Sequence, residues 1–124
     1  MRMQEIDFEA RAPIDAYGAG GFRVGGERRE GSLLLMPSGV HAWPVIAPAM
    51  IDAAAARPLL EPEADIDLVL FGMGPEIAFL PRPVRESLER AGIGVEVMST
   101  ASACRTFNVL LAEDRRVAAA LIAV

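Results

Sequence analysis

Two short stretches hold the residues best suited to chemistry. In the first, Gly72-Met73-Gly74-Pro75 interrupts a run of apolar residues, Ile66–Phe71. In open α/β sheets ligands settle beyond the carboxyl ends of strands, and glycines there let backbone come close to a ligand. A dinucleotide fingerprint would need a third glycine where Ile77 stands, and Pro75 removes a backbone donor. Gly18-Ala19-Gly20 fails in the same way, with Arg23 at the third position. Neither stretch is a phosphate-binding Walker loop, and Gly72 and Gly74 equally suit a tight turn.

The second stretch is Ser99-Thr100-Ala101-Ser102-Ala103-Cys104-Arg105-Thr106. Ser99 or Thr100 caps a helix that follows another apolar strand. A helix start offers free N–H groups and partial positive charge, which suit an anion. With Arg105 adjacent, the same field would favour the thiolate of Cys104 and a redox-sensing role. Cys104 also borders the apolar stripe Ala103, Phe107, Leu110 and Leu111, where it would pack as a small hydrophobe.

Elsewhere the chain is poor in reactive groupings. His41, the one histidine, lies in a strand next to Trp43 and reads as structural. There is no Gly-x-Ser-x-Gly elbow, and no His pair or His–carboxylate spacing marks a metal site. Asp65 with Asp67, and Glu113 with Asp114, read as solvated carboxylates at turns. Met36, Met50, Met73 and Met98 are scattered, as core filler or adaptable contact surface.

The elements that must position these residues follow from periodicity and breakers. Residues 1–17 read as an N-terminal arm with a short strand, and residues 18–124 as one domain. Phe22 and Val24 alternate with Arg23 as a strand, Glu27–Glu30 is a charged turn, and Ser32–Met36 completes a hairpin. A short strand over Val40–Trp43 ends at Pro44. A helix spans Pro48–Ala56 and Pro58 stops it. Ile66–Phe71 is almost wholly apolar, as in a strand buried on both faces of a sheet with parallel strands. A short strand follows at Ile77–Leu80, then a helix over Pro83–Ala91 with Gly92 at its left-handed end. Ile93, Val95 and Val97 alternate as a strand neighbouring Ile66–Phe71 in parallel. The pattern of Val117–Val124 fits helix or strand, and the short turn before it favours strand. The expected class is α/β, with an antiparallel opening followed by helix–strand–helix–strand–helix–strand and right-handed crossovers.

Composition bounds function further. The chain has 124 residues, is 52% hydrophobic and carries a net charge of −5. That length suits one domain with a real core, and the composition argues against disorder. All 12 basic residues are arginine, and they form no stripe, so nucleic acid is not an expected partner. No apolar run is long enough to span a bilayer. The first residues, with Glu5 and Asp7, resemble neither a secretory nor a mitochondrial leader. A single cysteine excludes an internal disulfide and suits a reducing cytoplasm.

Ser102-Ala103-Cys104-Arg105-Thr106-Phe107-Asn108-Val109-Leu110-Leu111, with Arg115-Arg116-Val117, Gly31-Ser32 before Val40–Trp43, and Leu70-Phe71-Gly72-Met73-Gly74, resembles a family of unknown biochemical function. Its mitochondrial member is an assembly factor of respiratory complex I, the NADH:ubiquinone oxidoreductase. The resemblance covers most of the chain from about Gly20. It implies a single Mth-type three-layer domain: a central mixed, mostly parallel sheet, helices on one side and a small antiparallel ribbon on the other. It implies no cofactor and no established enzyme activity, but a protein partner such as a respiratory-complex subunit or another assembly factor. A bacterial cytoplasmic location is expected, against the mitochondrial matrix for the eukaryotic relative. It directs attention to Gly72, Gly74, Cys104, Arg105 and Asn108, to which the residues themselves add Ser99, Thr100 and Ser102. The leading expectation is a non-enzymatic assembly or scaffolding factor. The alternative is a small-molecule enzyme or anion binder in a strand-end cleft between Gly72–Gly74 and Ser99–Arg105.

Overall fold

A computed structural model describes residues 12–124; the part of the expected arm before Ala12 lies outside the described residues. The opening strands are β1 (Ile14–Gly18), β2 (Gly21–Val24) and β3 (Glu27–Glu30), which form a three-stranded antiparallel sheet. Strand β1 therefore crosses from the expected arm into the expected domain. The turn between β2 and β3 is Gly25-Gly26, both at positive φ (58° and 84°), as a two-residue hairpin of matching twist requires. Glu27–Glu30, expected as a turn, is thus a strand. All four of its residues are exposed, so backbone pairing to β2 sustains it, together with the Arg28 guanidinium, which donates to the Gly18 and Ala19 carbonyls.

Strand β4 (Leu33–Met36) pairs not with β2 but with β5 (Gly39–Ala42), which corrects the expected hairpin. These two strands join the central sheet, ordered β5-β4-β8-β6-β7, with β6 (Leu68–Gly72), β7 (Gly94–Met98) and β8 (Val117–Leu121). Strands β6 and β7 are parallel neighbours, as expected, and β6 and β8 are also parallel. The β4–β8 and β4–β5 pairings are antiparallel. The sheet is mixed as anticipated, although its parallel character is confined to the β7-β6-β8 half. Segment 117–124 is strand to Leu121.

Helix α1 (Ala53–Leu60) begins later than expected, because Pro48–Met50 is only a 3-10 turn and Asp52 supplies the cap, accepting from Ala55 N–H. Pro58 does not stop α1 but lies inside it. Helix α2 (Arg82–Arg90) ends with Gly92 at φ 85°. Helix α3 (Thr100–Ala112) is capped by Ser99, whose hydroxyl accepts from Ser102 N–H. Ile77–Leu80, expected as a strand, pairs with no strand among the described residues and is an irregular connection.

Two apolar cores flank the central sheet. On one face Val69, Phe71, Ala118 and Ala120 meet α1 and α2, with Trp43 tilted against Phe71 at 6.3 Å between ring centres. On the other face Leu70, Ala119 and Leu121 meet Phe22 and Val24 of the small sheet. Ala103, Cys104 and Phe107 of α3 join this second core. Helices were expected on one side only; α3 instead shares the ribbon's face. Steps β6→β7 and β7→β8 run in opposite directions across the sheet. Crossovers of one hand must then place α2 and α3 on opposite faces.

Candidate functional site

The two stretches singled out in the sequence do meet at the carboxyl ends of β6 and β7. Thr100 N–H donates to the Gly74 carbonyl at 2.8 Å, and Gly74 N–H donates to Thr100 Oγ1 at 2.9 Å. The same hydroxyl donates to the Ile122 carbonyl at 2.7 Å. A single side chain thus ties together the loop after β6, the start of α3 and the end of β8. Gly72 is glycine because of this contact: a Cβ there would lie 2.9 Å from Thr100 Cα and 3.0 Å from the Leu121 side chain. Gly74 has φ 110°, which a side chain rarely adopts.

This closeness fills the space between the two stretches. Thr100 is fully buried, and Gly72 and Gly74 are buried with it. Ser99 and Ser102 are half-buried and occupied by the cap between them. Asn108 is turned to another task. Its Oδ1 accepts from Ile14 N–H and its Nδ2 donates to the Ile14 carbonyl, both at 2.8 Å.

Cys104 overturns the thiolate expectation. It is 3% exposed within the α3 core, and burial pushes its thiol up to about 12, with Arg105 only partly opposing. The helix start and the arginine do not outweigh desolvation. Arg105 itself points outward and donates to Ser102 Oγ at 3.3 Å. Among the described residues it pairs with no carboxylate.

Asp65 and Asp67, expected to be merely solvated, share Arg116. Its Nη1 reaches Asp65 at 2.6 Å, and its Nε and Nη2 grip Asp67. This clasp joins the entrances to β6 and β8 and is exposed, so its energetic weight is small. His41 is exposed and lies 3.1 Å from Ser38 Oγ. Among the described residues no His, Cys, Asp and Glu group could hold a metal ion, and no helix is long and apolar enough to cross a membrane.

The surface that sequence reasoning missed lies beside β7. Phe79 is 98% exposed and Ile77 67% exposed, while Leu80 between them and α2 anchors the connection in the core. With Val95, Glu96 and Val97 they line an open groove of about 730 Å³. Apolar residues at 77–80 suggested a strand; the signal that could have located a surface was the flanking Pro75 and Pro81, which deny the segment regular pairing.

Fold and strand-end junction define a small α/β domain of the Mth938-like kind. The chain belongs to the family described as protein of unknown function (DUF498/DUF598), which matches residues 14–122. An uncharacterised protein of Rhodobacter capsulatus is 43% identical over 98% of this chain and 93% of its own. The human NADH dehydrogenase (ubiquinone) 1 alpha subcomplex assembly factor 3 is 39% identical over 88% of this chain, which spans 59% of the human protein. Among solved structures, a Bartonella henselae protein described as an outer membrane protein is 44% identical, with a TM-score of 0.88 over 94% of this chain and 98% of that one. A Bordetella pertussis protein described as an Mth938-like domain is 32% identical, with a TM-score of 0.76 over 90% of this chain and 85% of that one.

Proposed function

We propose that this chain is a non-enzymatic assembly factor that binds protein partners during construction of a membrane-bound respiratory complex of the NADH:quinone oxidoreductase type. The observation that carries the reading is the 39% identity to the human complex I assembly factor across 88% of this chain. Surface chemistry supports it. Phe79 and Ile77 offer an apolar ledge of the kind that marks interaction sites rather than solvated loops. Cys104 is buried, and Gly72, Gly74 and Thr100 are used in holding the fold, so these four residues are not free for a ligand. Within this reading, Arg105, with the rims of Ser99 and Ser102, is the part of that junction available to a partner. Its work is carried out in the cytoplasm, at the soluble face of the growing complex.

The test is deletion of the gene in the native organism, followed by native gel electrophoresis of membranes and NADH:quinone activity. The expected result is loss of mature complex and accumulation of subcomplexes, restored by the wild-type gene. Normal amounts of mature complex in the deletion strain would overturn the proposal.

A further inference from the structure

Among the described residues strand β7 ends the central sheet, with β6 as its one neighbour. The phase of its ladder is fixed by two flanking bonds, Gly94 N–H to the Asp67 carbonyl and Met73 N–H to the Met98 carbonyl. Hydrogen-bonding direction alternates along a strand, so Gly94, Glu96 and Met98 turn their backbone groups toward β6. Val95 and Val97 turn theirs outward, two donors and two acceptors on an open edge. Such an edge is a template for another strand unless it is blocked. The segment Ile77–Leu80, which could have covered it, makes no ladder with it, and the groove between the two is open.

Side chains along this edge set what the groove accepts. Val95 and Val97 face the α1–α2 core side, the side of the Ile77 and Phe79 ledge. Glu96 faces the other side, is exposed and, among the described residues, has no ion-pair partner. Pairing with β7 of a second copy about a two-fold axis, using both Val95 and Val97, would set the two Glu96 carboxylates opposite each other. Like charges directly opposite destabilise a strand pair, and a cation opposite stabilises it. Glu96 thus opposes self-pairing and favours a basic residue, in a chain whose net charge is already −5.

Resting on the partner-binding reading, we propose that the free edge of β7 receives an extended antiparallel segment of a protein partner in an apolar–basic–apolar pattern. The basic residue stands opposite Glu96. Its two neighbours hydrogen-bond Val95 and Val97 and lay their side chains toward Ile77 and Phe79. Backbone bonds supply attachment and the two faces supply selectivity, as in other cases of strand addition.

The test titrates the isotope-labelled full chain with the capped heptapeptide Thr-Thr-Val-Arg-Val-Thr-Thr and follows amide resonances. The expected shifts fall on residues 77–79 and 95–97. Replacing the central Arg by Glu should weaken binding by about tenfold, and Glu96→Lys should reverse that preference. N-methylation of both peptide valines should abolish binding, as should Val97→Pro, which removes an outward N–H without touching the β6 ladder. Equal binding of the Arg and Glu peptides, binding that survives N-methylation, shifts confined to other surfaces, or no binding at millimolar peptide would each overturn the proposal. So would a β7-mediated dimer of the chain that Val97→Pro dissolves. Loss of mature complex in the deletion strain together with any of these results would sink the β7 proposal and leave the assembly reading standing.

Discussion

The side-chain amide of Asn108 closes a two-bond clasp on the backbone of Ile14, taking its N–H and giving to its carbonyl at 2.8 Å each. Helix α3 is thereby fastened to the first strand of the small sheet, from residues far apart in sequence. Asn108→Ala should lower unfolding free energy by roughly 2 kcal/mol, two modest bonds and a poorly solvated backbone pair left behind. Asn108→Asp should do comparable damage, because a carboxylate cannot donate to the Ile14 carbonyl. Denaturant melts of both variants check this; a change under about 0.5 kcal/mol would show the clasp to be incidental.

Thr100 is the counterpart at the other end of α3. Thr100→Val keeps the shape but strands the Gly74 N–H and loses the Ile122 carbonyl's donor, in a buried setting. The expected cost is about 2–4 kcal/mol. Gly72→Ala should cost about 1–3 kcal/mol for a different reason, the collision with Thr100 backbone. The two losses should be non-additive in a double-mutant cycle, since residues 72 and 100 are in direct contact.

The thiol of Cys104 makes a pH prediction with a definite sign. Its ordinary value is 9.0 and burial pushes it up to about 12 in the folded chain. The folded state therefore holds its proton while the unfolded state releases it. The stabilisation is fully present below about pH 9 and is lost as pH rises from 9 toward 12. Because the chain has no lysine and a single tyrosine, few other groups titrate in that window. Cys104→Ala should flatten the alkaline decline in melting temperature. The same slope in wild type and variant would contradict it. Slow reaction of the native thiol with a maleimide at neutral pH is expected alongside.

Arg105 is exposed and its one hydrogen bond among the described residues is the 3.3 Å contact with Ser102. Arg105→Ala should shift stability by less than about 0.5 kcal/mol. If it also fails to restore the mature respiratory complex in a deletion strain, its role is in partner capture. A drop in melting temperature of several degrees would make it a structural strut instead.

How much of this was legible in the sequence depended on where water stood. Strand β6 announced itself because both of its faces are buried, leaving an unbroken apolar run. Helix α3 did so through Ser99 and the stripe of Ala103, Phe107, Leu110 and Leu111. Strand β3 gave no apolar signal, since all four residues face solvent, and only the Gly25-Gly26 pair marked its beginning. The Ile77–Leu80 segment misled in the opposite sense, apolar without being paired. The meeting of Gly74 and Thr100 was anticipated from strand order, but its tightness was not. Nothing in the spacing of Gly72 and Thr100 tells whether the gap between two loops holds a ligand or a hydroxyl. The burial of Cys104 agrees with its place at the edge of the apolar stripe, whereas the small sheet that shares its core is a long-range partner that local pattern does not show.

Strand β8, the last of the described strands in sequence order, occupies the middle of the central sheet, between β4 and β6. A ribosome delivering this polypeptide releases β4, β5, β6 and β7 before the strand that joins them. Until residues 117–121 emerge, the antiparallel pair and the parallel pair are two unconnected pieces with raw edges. Most of the entropy of closing long loops is therefore settled only when β8 emerges, and folding of this domain should be slow for its size. A nascent chain stalled a few residues short of β8 should be sensitive to protease and attractive to chaperones, whereas one released beyond it should become resistant in a single cooperative step.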